Sequence, residues 1–340
     1  MLKKQGRHIS FHTPGHKRAG ADITELSYSD SLASPNGVIR EAECDLAKIL
    51  GAEKSFILTD GSTSGVYAML AALKAAGCRK IALPAFAHVS ATRGCEILGL
   101  TPVVIPCGRE CGIPLQPSLC EIERALDEAD ALFLVSPDYY GNFPPLRAAK
   151  ELCAAAGKPF ALDGAHGGHL HFTQLHAGKY ADLWVDGVHK SLPALTQGAV
   201  VSAKTAEWAE LLANSVKLFR TTSPSYPIMA SVEYAVKYPR NEKIERAAEA
   251  LKARLSAYPN ADWTKLVLRF GNRADEAQRA LEARGVYPEF NDGNYLMFYL
   301  SPCTKRRELN ALERALKGLS RGEPTEVGAP EPYGDHGCLR

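Results

Sequence analysis

The sequence predicts an α/β protein with a mostly parallel sheet of about seven strands between helices, followed by a small α+β domain. Short, nearly apolar segments alternate with helical patterns between residues 54 and 203. Strands that are apolar throughout are typical of parallel sheets covered on both faces. The chain has 340 residues, which is long for one hydrophobic core and favours two lobes.

The elements follow in a regular order. A helical pattern runs from Arg40 to Gly51, where glycine favours a helix end. Strand and helix patterns then alternate. The predicted strands are SFIL, KIALPAF, TPVVIP, DALFLVSP, PFALDGA, DLWVDGV and GAVVSA. The predicted helices between them are GVYAMLAALKAAG, HVSATRGCEILG, PSLCEIERALDEA and PLRAAKELCAAAG.

The same patterns predict the division into domains. Residues 1–40 form an arm without sustained periodicity, and residues 41–225 form the large domain. Residues 226–320 form the small domain with its connecting helices. Residues 321–340 are rich in Pro and Gly, which is typical of a flexible tail.

Composition excludes several classes of protein. The 40 basic and 38 acidic residues give a formal charge of +2, which provides no reason to expect nucleic acid or an anionic membrane as a partner. No apolar run reaches the roughly 18 residues of a spanning helix, and no secretory signal is visible. The nine cysteines include no C-x-x-C pair, so we expect buried thiols in a reducing compartment rather than redox or metal use of Cys107 and Cys111. The sequence therefore predicts a soluble, cytoplasmic protein.

Five polar clusters fall where predicted strands end. They are TDGSTSG, AFAHVS, SPDYYG, LDGAHGGH and DGVHK. Ligands of parallel α/β sheets bind at the carboxyl ends of the strands. We therefore expect these clusters to converge on one binding site.

Three of these clusters together indicate pyridoxal 5'-phosphate. Lys190 lies in a nearly unbroken apolar run, although lysine is almost never fully buried unless it is paired or chemically used. Asp163 ends a neighbouring apolar strand, and Gly, Ser and Thr residues over 60–65 open a helix, as phosphate sites do. An imine-forming lysine, an aspartate for a pyridine nitrogen and a phosphate cup are the needs of this cofactor. The alternatives are a structural Asp163–Lys190 ion pair and an ordinary N-cap turn.

The ordered motifs resemble a known family. HTPGHKRAG, GVIREAE, TDGSTSG, AHVS, LDGAHGGHL, VHKSLPALTQGA and TTSPSY are similar to signatures of the bacterial Orn/Lys/Arg decarboxylases. Those enzymes use pyridoxal phosphate and have the aspartate-aminotransferase fold, called fold type I. The resemblance spans residues 10 to about 235. It implies decarboxylation of Lys, Orn or Arg to the amine, in polyamine metabolism.

The resemblance also implies roles for individual residues. Lys190 would bind the cofactor covalently, Asp163 would pair with its pyridine nitrogen, and His88 would stack on its ring. The further cofactor-binding positions are Ser62, Thr63, Ser64, Ala165, His166, His189 and, from the neighbouring subunit of a homodimer, Thr222 and Ser223. His12 and His16 would belong to an N-terminal active-site arm.

The chain departs from the family pattern in places. Gly187 and Val188 stand where the family usually has Ser and Thr, so a hydroxyl for the phosphate is missing, and Val89 replaces a frequent Lys. The expected protein is a short form without the leading wing domain and the C-terminal domain. The grouped histidines over 166–176 lack metal-site spacing, so we expect no metal.

Two other functions stay open on the residues alone. The first is another reaction on this fold, either transamination or elimination. The second is the role of a non-catalytic partner protein. An aminotransferase usually needs an arginine that clamps the substrate carboxylate, and Arg269 is the nearest candidate. The substrate among the basic amino acids is not determined by the sequence.

Overall fold

A computed structural model of the chain describes residues 11–17, 22–26 and 29–323. Its main feature is a seven-stranded sheet in the order β1-β9-β8-β7-β6-β2-β3. The strands are β1 (Lys54–Leu58), β2 (Lys80–Pro84), β3 (Thr101–Ile105), β6 (Ala131–Val135), β7 (Phe160–Gly164), β8 (Leu183–Asp186) and β9 (Ala199–Ala203). Only β9 runs antiparallel to its neighbours, β1 and β8. The predicted mostly parallel sheet is therefore confirmed.

Helices cover both faces of this sheet. They are α1 (Val38–Leu50), α2 (Gly61–Ala75), α3 (Val89–Leu98), α4 (Leu119–Glu128), α5 (Leu146–Ala156), α6 (Val188–Ser191), α7 (Ala206–Phe219) and α8 (Tyr226–Val236). One core joins apolar side chains of α1, α4, α5 and α8 to alternate strand residues such as Leu162 and Trp184. The other joins α2, α3 and α7 to the intervening residues, such as Ala161 and Val185. The strands inside the sheet thus bury both faces, which explains their nearly continuous apolar sequences, whereas the edge strand β3 is partly exposed.

The small lobe is an antiparallel sheet with helices. Its strands β10 (Lys265–Arg269), β11 (Phe290–Asn291) and β12 (Tyr295–Tyr299) have the order β10-β12-β11. Its helices are α9 (Glu242–Arg254), α10 (Ala274–Glu282) and α11 (Arg306–Leu316). A separate core that includes Leu251, Leu268 and Leu312 holds them together. Helix α8 lies in the predicted segment of the small domain and its connecting helices, and it packs into the core of the large sheet.

Local sequence explains where several helices begin and end. Helix α1 ends at Gly51, whose φ of 69° is the left-handed conformation that glycine adopts without strain. Helix α4 begins with a capping box between Ser118 and Glu121. A short hairpin joins β3 to α4. Its strands, β4 (Arg109–Glu110) and β5 (Ile113–Pro114), have two residues each. Within the described ranges, no helix is both long and apolar enough to span a bilayer.

Candidate active site

A cavity of about 390 Å³ lies at the carboxyl ends of the parallel strands. All five polar clusters that follow those strands contribute to its wall. The lining residues are Gly61, Ser62, Thr63, Phe86, His88, Ser90, Pro114, Val135, Asp138, Tyr139, Tyr140, Asp163, Ala165, His166, His189, Lys190, Thr196 and Gln197. The parallel topology therefore brings together side chains that are up to 136 residues apart (197 minus 61).

Lys190 lies on the one-turn helix α6, directly after β8. Its Nζ is 3.0 Å from Nε2 of His166, which follows β7. Burial, with the positive charges of Lys190 and Lys265, holds the pKa of His166 well below its ordinary value. His166 is therefore neutral and presents an uncharged ring to the amine.

Asp163 is near the end of β7 and is 3% exposed. Its Oδ1 accepts a hydrogen bond of 3.0 Å from the Ala165 backbone N–H. The Ala165 methyl group lines the cavity beside it, which leaves space for a flat ring. Since Asp163 and Lys190 both line an open cavity, the arrangement favours ligand binding over a purely structural ion pair.

The N-terminus of α2 opens onto the same cavity. Asp60 is the N-cap residue, but its side chain makes no capping bond and accepts instead from the Thr221 backbone N–H at 3.1 Å. Ser62 and Thr63 line the cavity in the first turn. Their position at a helix N-terminus without a side-chain cap suits an anion.

Ser64 is placed differently from the expectation for a cofactor-binding residue. It is buried, and its hydroxyl donates to the Gly61 carbonyl oxygen at 2.9 Å. It is not among the residues that line the cavity. The residues that α2 offers to an anion are therefore Ser62 and Thr63.

Two further histidines lie in the cavity wall. His88 is the N-cap of α3, and its Nδ1 accepts from the Ser90 backbone N–H at 3.2 Å. Burial lowers the pKa of His88, although the nearby Asp163 carboxylate opposes that shift. His189 donates from Nδ1 to the Gly198 carbonyl oxygen at 3.0 Å, and burial lowers its pKa too. Both rings are therefore fixed in orientation by bonds to the backbone.

The departure at Gly187 has a cause in the backbone. A Cβ atom at this position would lie 2.2 Å from the Ala165 carbonyl oxygen. The chain between β8 and α6 thus passes too close to the Asp163–Ala165 segment for any side chain. Val188 is fully buried in the core of the large lobe.

The loop that carries Thr222 and Ser223 is anchored near this cavity. Arg220, at its start, forms a buried ion pair with Glu43 at 3.1 Å. Thr221 is bonded to Asp60, the residue before α2. Thr222 and Ser223 are exposed and lie outside the described wall of the cavity, so this chain does not bring them to its own site.

The N-terminal arm is also outside the cavity wall. His12 is exposed, and His16 lies 2.9 Å from Asp22. The other grouped histidines point to separate partners, with His169 paired to Asp262 and His176 to Asp186. No group of three or more His, Cys, Asp or Glu side chains arranged for a metal ion occurs in the described ranges.

Sequence reasoning did not single out part of the cavity wall. Tyr139 and Tyr140 belong to the SPDYYG cluster, whose position after a strand was the available signal. Thr196 and Gln197 lie in the loop before β9, where no periodic pattern marks them. The Asp138 carboxylate in the same wall accepts bonds from the backbone N–H groups of Tyr140 and Asn142, which makes it a structural turn residue.

The small lobe contributes a buried polar group behind His166. The Tyr299 phenol oxygen, on β12, lies 3.3 Å from His166 Nδ1. The ammonium of Lys265 lies 3.7 Å from the centre of the Tyr299 ring. Asp262 lies 3.1 Å from the same ammonium and 2.9 Å from His169. Nothing in the sequence pattern predicted this arrangement, because it joins side chains from both lobes.

The architecture is that of the pyridoxal-phosphate enzymes of fold type I. The chain superposes with a TM-score of 0.76 on the constitutive lysine decarboxylase of Escherichia coli, at 20% identity, covering 93% of this chain and 58% of that one. It superposes with a TM-score of 0.63 on a structure of SPT with PLP, at 14% identity, covering 82% and 76%. These likenesses establish the fold.

The sequence establishes the family. Residues 15–258 match the model of the Orn/Lys/Arg decarboxylase major domain, and the chain belongs to this family. An uncharacterized protein of Bacillus subtilis, YaaO, is 28% identical, covering 89% of this chain and 72% of its own. An arginine decarboxylase of Halalkalibacterium halodurans is 29% identical, covering 68% of this chain and 52% of its own. The chain thus spans about half the length of the arginine decarboxylases it matches.

Proposed function

We propose that this protein binds pyridoxal 5'-phosphate and decarboxylates a basic amino acid, Lys, Orn or Arg, to the corresponding amine. The observation that carries the proposal is that Lys190, Asp163 and the N-terminus of α2 line one cavity. These are an amine, a carboxylate and an anion site, which the cofactor needs together. Membership of the decarboxylase family supports the reaction class.

The cavity wall fits the cofactor group by group. The first turn of α2, with Ser62 and Thr63, is suited to the phosphate, and the buried Asp163 is suited to a pyridine nitrogen. His88 and Ala165 are suited to the two faces of the ring. When bound, the cofactor accepts the electrons that remain on the substrate Cα after carbon dioxide departs.

The protein's own groups would then bind, orient and protonate. Asp163, acting as an anion in a dry site, would keep a proton on the nitrogen that it faces. Lys190, once displaced by the substrate amine, would lie beside the reacting carbon with His166 as its hydrogen-bond partner. That amine is therefore suited to return a proton to Cα.

Carboxylates at the tyrosine side of the cavity support a cationic substrate. The Tyr139 phenol donates to exposed Glu289 at 3.2 Å, and the Tyr140 phenol donates to Asp292 at 2.7 Å. Both tyrosines line the cavity, so negative charge lies directly behind its wall. The ammonium or guanidinium of a basic side chain would be attracted there.

The lining of the cavity also bears on the choice between decarboxylation and transamination. No arginine lines the cavity in the part of the chain that the structure describes. Arg269 lies at the end of β10, outside that wall. A decarboxylase must release its carboxylate and has less use for a bidentate clamp. This favours decarboxylation over transamination.

The active unit in this proposal is a cytoplasmic homodimer that serves polyamine metabolism. Its two active sites would be shared, because Thr222 and Ser223 are exposed on a loop anchored beside α2. In a two-fold dimer, these hydroxyls would reach the phosphate site of the neighbouring subunit.

The test is to incubate the purified protein with pyridoxal phosphate and, separately, with lysine, ornithine and arginine, and to measure amine and carbon dioxide. We expect one of the three to give product. Borohydride should attach the cofactor to the peptide that contains Lys190, and Lys190→Ala should remove both the attachment and the activity.

A matched control is Lys204→Ala, because Lys204 lies outside the cavity and bonds to the Gly51 and Gly178 carbonyl oxygens. It should retain the cofactor and the activity. Covalent attachment that persists in Lys190→Ala, or transfer of the substrate amine without release of carbon dioxide, would contradict the proposal.

A further inference from the structure

A fully buried ion pair of the small lobe lies next to the active-site cavity. Lys265 and Asp262 are both 0% exposed, with 3.1 Å between Nζ and Oδ2. Burial lowers the pKa of Lys265, and the Asp262 carboxylate opposes that shift. Burial also opposes ionisation of Asp262, but His169 and Lys265 hold the pKa of Asp262 well below its ordinary value. The Asp262 carboxylate is therefore held between Lys265 and His169, 3.1 Å from one and 2.9 Å from the other.

This pair holds the Tyr299 ring. The Lys265 ammonium lies 3.7 Å from the ring centre, within the range of a cation–π contact. The Tyr299 ring is also stacked at 27° on the His166 ring, with 6.0 Å between the centres. Burial, with the negative charges of Asp262 and Glu289, raises the pKa of Tyr299 well above its ordinary value, so the phenol keeps its proton.

The contacts of the phenol favour one tautomer of His166. The Tyr299 oxygen is 3.4 Å from the His166 carbonyl oxygen, which can only accept, so the phenol O–H donates to it. The phenol oxygen then accepts from Nδ1–H of His166, 3.3 Å away. A neutral imidazole has one N–H, so Nε2 carries the lone pair. That nitrogen lies 3.0 Å from Lys190 Nζ and accepts a hydrogen bond from it.

The electrostatic surroundings are consistent with a neutral His166. Burial is the largest cause of its low pKa, and Lys190 and Lys265 add to it. Lys190, Lys265, Asp262 and His88 act on His166 directly. His189 faces Lys190, and the Tyr139 and Tyr299 rings contact the His166 ring. The charged groups one step further out act on these neighbours: Asp163 and Arg93 on His88, Glu289 on Tyr299, and Asp138 on Lys265.

We propose that Tyr299, held by Lys265 and Asp262, is a positioning residue that fixes the His166 tautomer and thereby keeps Lys190 as the hydrogen-bond donor. The small lobe thus sets how readily the Lys190 amine gives up its proton. The inference rests on the proposed function only in taking Lys190 as the amine that matters. A hydrogen bond to an acceptor is stronger for an ammonium than for a neutral amine.

The test compares the parent protein with the Tyr299→Phe variant, both without cofactor. The substitution removes one hydroxyl and keeps the ring. Each is labelled with acetic anhydride across a pH series, and acetylation of Lys190 is quantified by mass spectrometry of its peptide. Without the phenol, Nδ1–H loses its acceptor, and an imidazole hydrogen on Nε2 can donate only to a neutral amine. We expect the midpoint of the labelling curve to fall by about one pH unit, as loss of one hydrogen bond implies.

The matched control is Tyr295→Phe, on the same face of β12. Its ring packs against Tyr258, with 6.4 Å between the ring centres, and not against His166. We expect its midpoint to equal that of the parent. An unchanged midpoint in Tyr299→Phe, or an equal fall in both variants, would overturn the inference.

The outcome is separable from the function assay, because labelling uses protein without cofactor. A shifted midpoint with no amine produced from lysine, ornithine or arginine would support the positioning role and contradict the decarboxylase proposal. Amine production with an unchanged midpoint would support the decarboxylase proposal and contradict the positioning role of Tyr299.

Discussion

Gly187 is explained by the path of the backbone and does not need to be explained by a loss of function. The sequence indicated a missing phosphate-binding hydroxyl at this position. In the structure, the neighbouring carbonyl oxygen of Ala165 occupies the space that a side chain would need. Without the hydroxyl, the proposed phosphate site would rely on the first turn of α2, with Ser62 and Thr63.

We expect Gly187→Ser to lower the free energy of unfolding by about 1–3 kcal/mol, because the new Cβ must push the Ala165 backbone away. Urea denaturation of the cofactor-free protein measures this. Gly108→Ser is the control, since a Cβ there meets only Leu115 at an ordinary 3.5 Å. Equal stability of the Gly187→Ser protein and its parent would show that the backbone readily adapts.

Asp163→Asn tests the carboxylate at the end of β7. The amide can keep the bond from the Ala165 N–H, so we expect the fold to be retained. A carboxylate near a pyridinium contributes on the order of 4 kcal/mol at an effective dielectric near 20, so kcat should fall by about a thousandfold. Steady-state kinetics with the active amino acid measure the loss, and a near-normal kcat would argue against the assigned role.

At this scale, sequence reasoning identified groups that end strands, because strand ends are visible in the hydrophobic pattern. Lys190 and Asp163 were singled out in this way, His166 came from the family resemblance, and all three line one cavity. Tyr299 and Lys265 were not, because their relation to His166 depends on how the small lobe packs against the large one. No local pattern contains that information.

At the scale of elements, long periodic segments were predicted and very short ones were not. Helices such as α1 and α5, and strands such as β6, lie close to the predicted segments. The hairpin of β4 and β5 and the strand β11 have two residues per strand, too few to show alternation. The core into which helix α8 packs was not predicted, because amphipathic spacing shows that a face is buried, not which sheet covers it.

The loop between α7 and α8 carries the prediction of shared sites. We expect a mixture of Lys190→Ala protein and a Thr222→Ala, Ser223→Ala double variant to regain activity when subunits exchange. In a hybrid dimer, one site would combine the intact Lys190 of one chain with the intact loop of the other. The measurement is amine production before and after refolding the two variants together.

The control for this mixture is each variant refolded with itself, which should show no gain. If the loop serves only its own chain, every site in the hybrid keeps one defect. Activity of the mixture no higher than the sum of the two parents would therefore contradict the shared site, as would a fully active monomer in sedimentation.

At the scale of the whole molecule, buried histidines make the fold sensitive to acid. Burial lowers the pKa of four of them, which are His88, His166, His171 and His189. Below the ordinary histidine value of 6.5, the unfolded chain binds protons that the folded chain does not. Their contribution to stability is therefore complete above pH 6.5 and is lost as the pH falls below it.

His171→Asn isolates one of these contributions outside the cavity. Asparagine can still donate to the Gly168 carbonyl oxygen, which His171 Nδ1 contacts at 2.8 Å. Nearby His176 and His169 add to the effect of burial on the pKa of His171, and Asp186 opposes it. We expect the parent to lose more unfolding free energy than the variant between about pH 7 and pH 5. Urea titrations at several pH values measure this, and a constant difference would contradict it.

The antiparallel strand β9 has a consequence for how the chain is made. Strand β1 lies at the edge of the sheet, and β9 is its hydrogen-bonded neighbour, with Lys54 opposite Ala203. During synthesis, the apolar segment of β1 leaves the ribosome early, and it stays unpaired with β9 until synthesis has passed Ala203. Exposed strand edges of this kind favour aggregation, so the nascent chain is a natural client for chaperones. Since Lys190 precedes β9 in the chain, the lysine has already been synthesised when β9 pairs with β1 and completes the sheet.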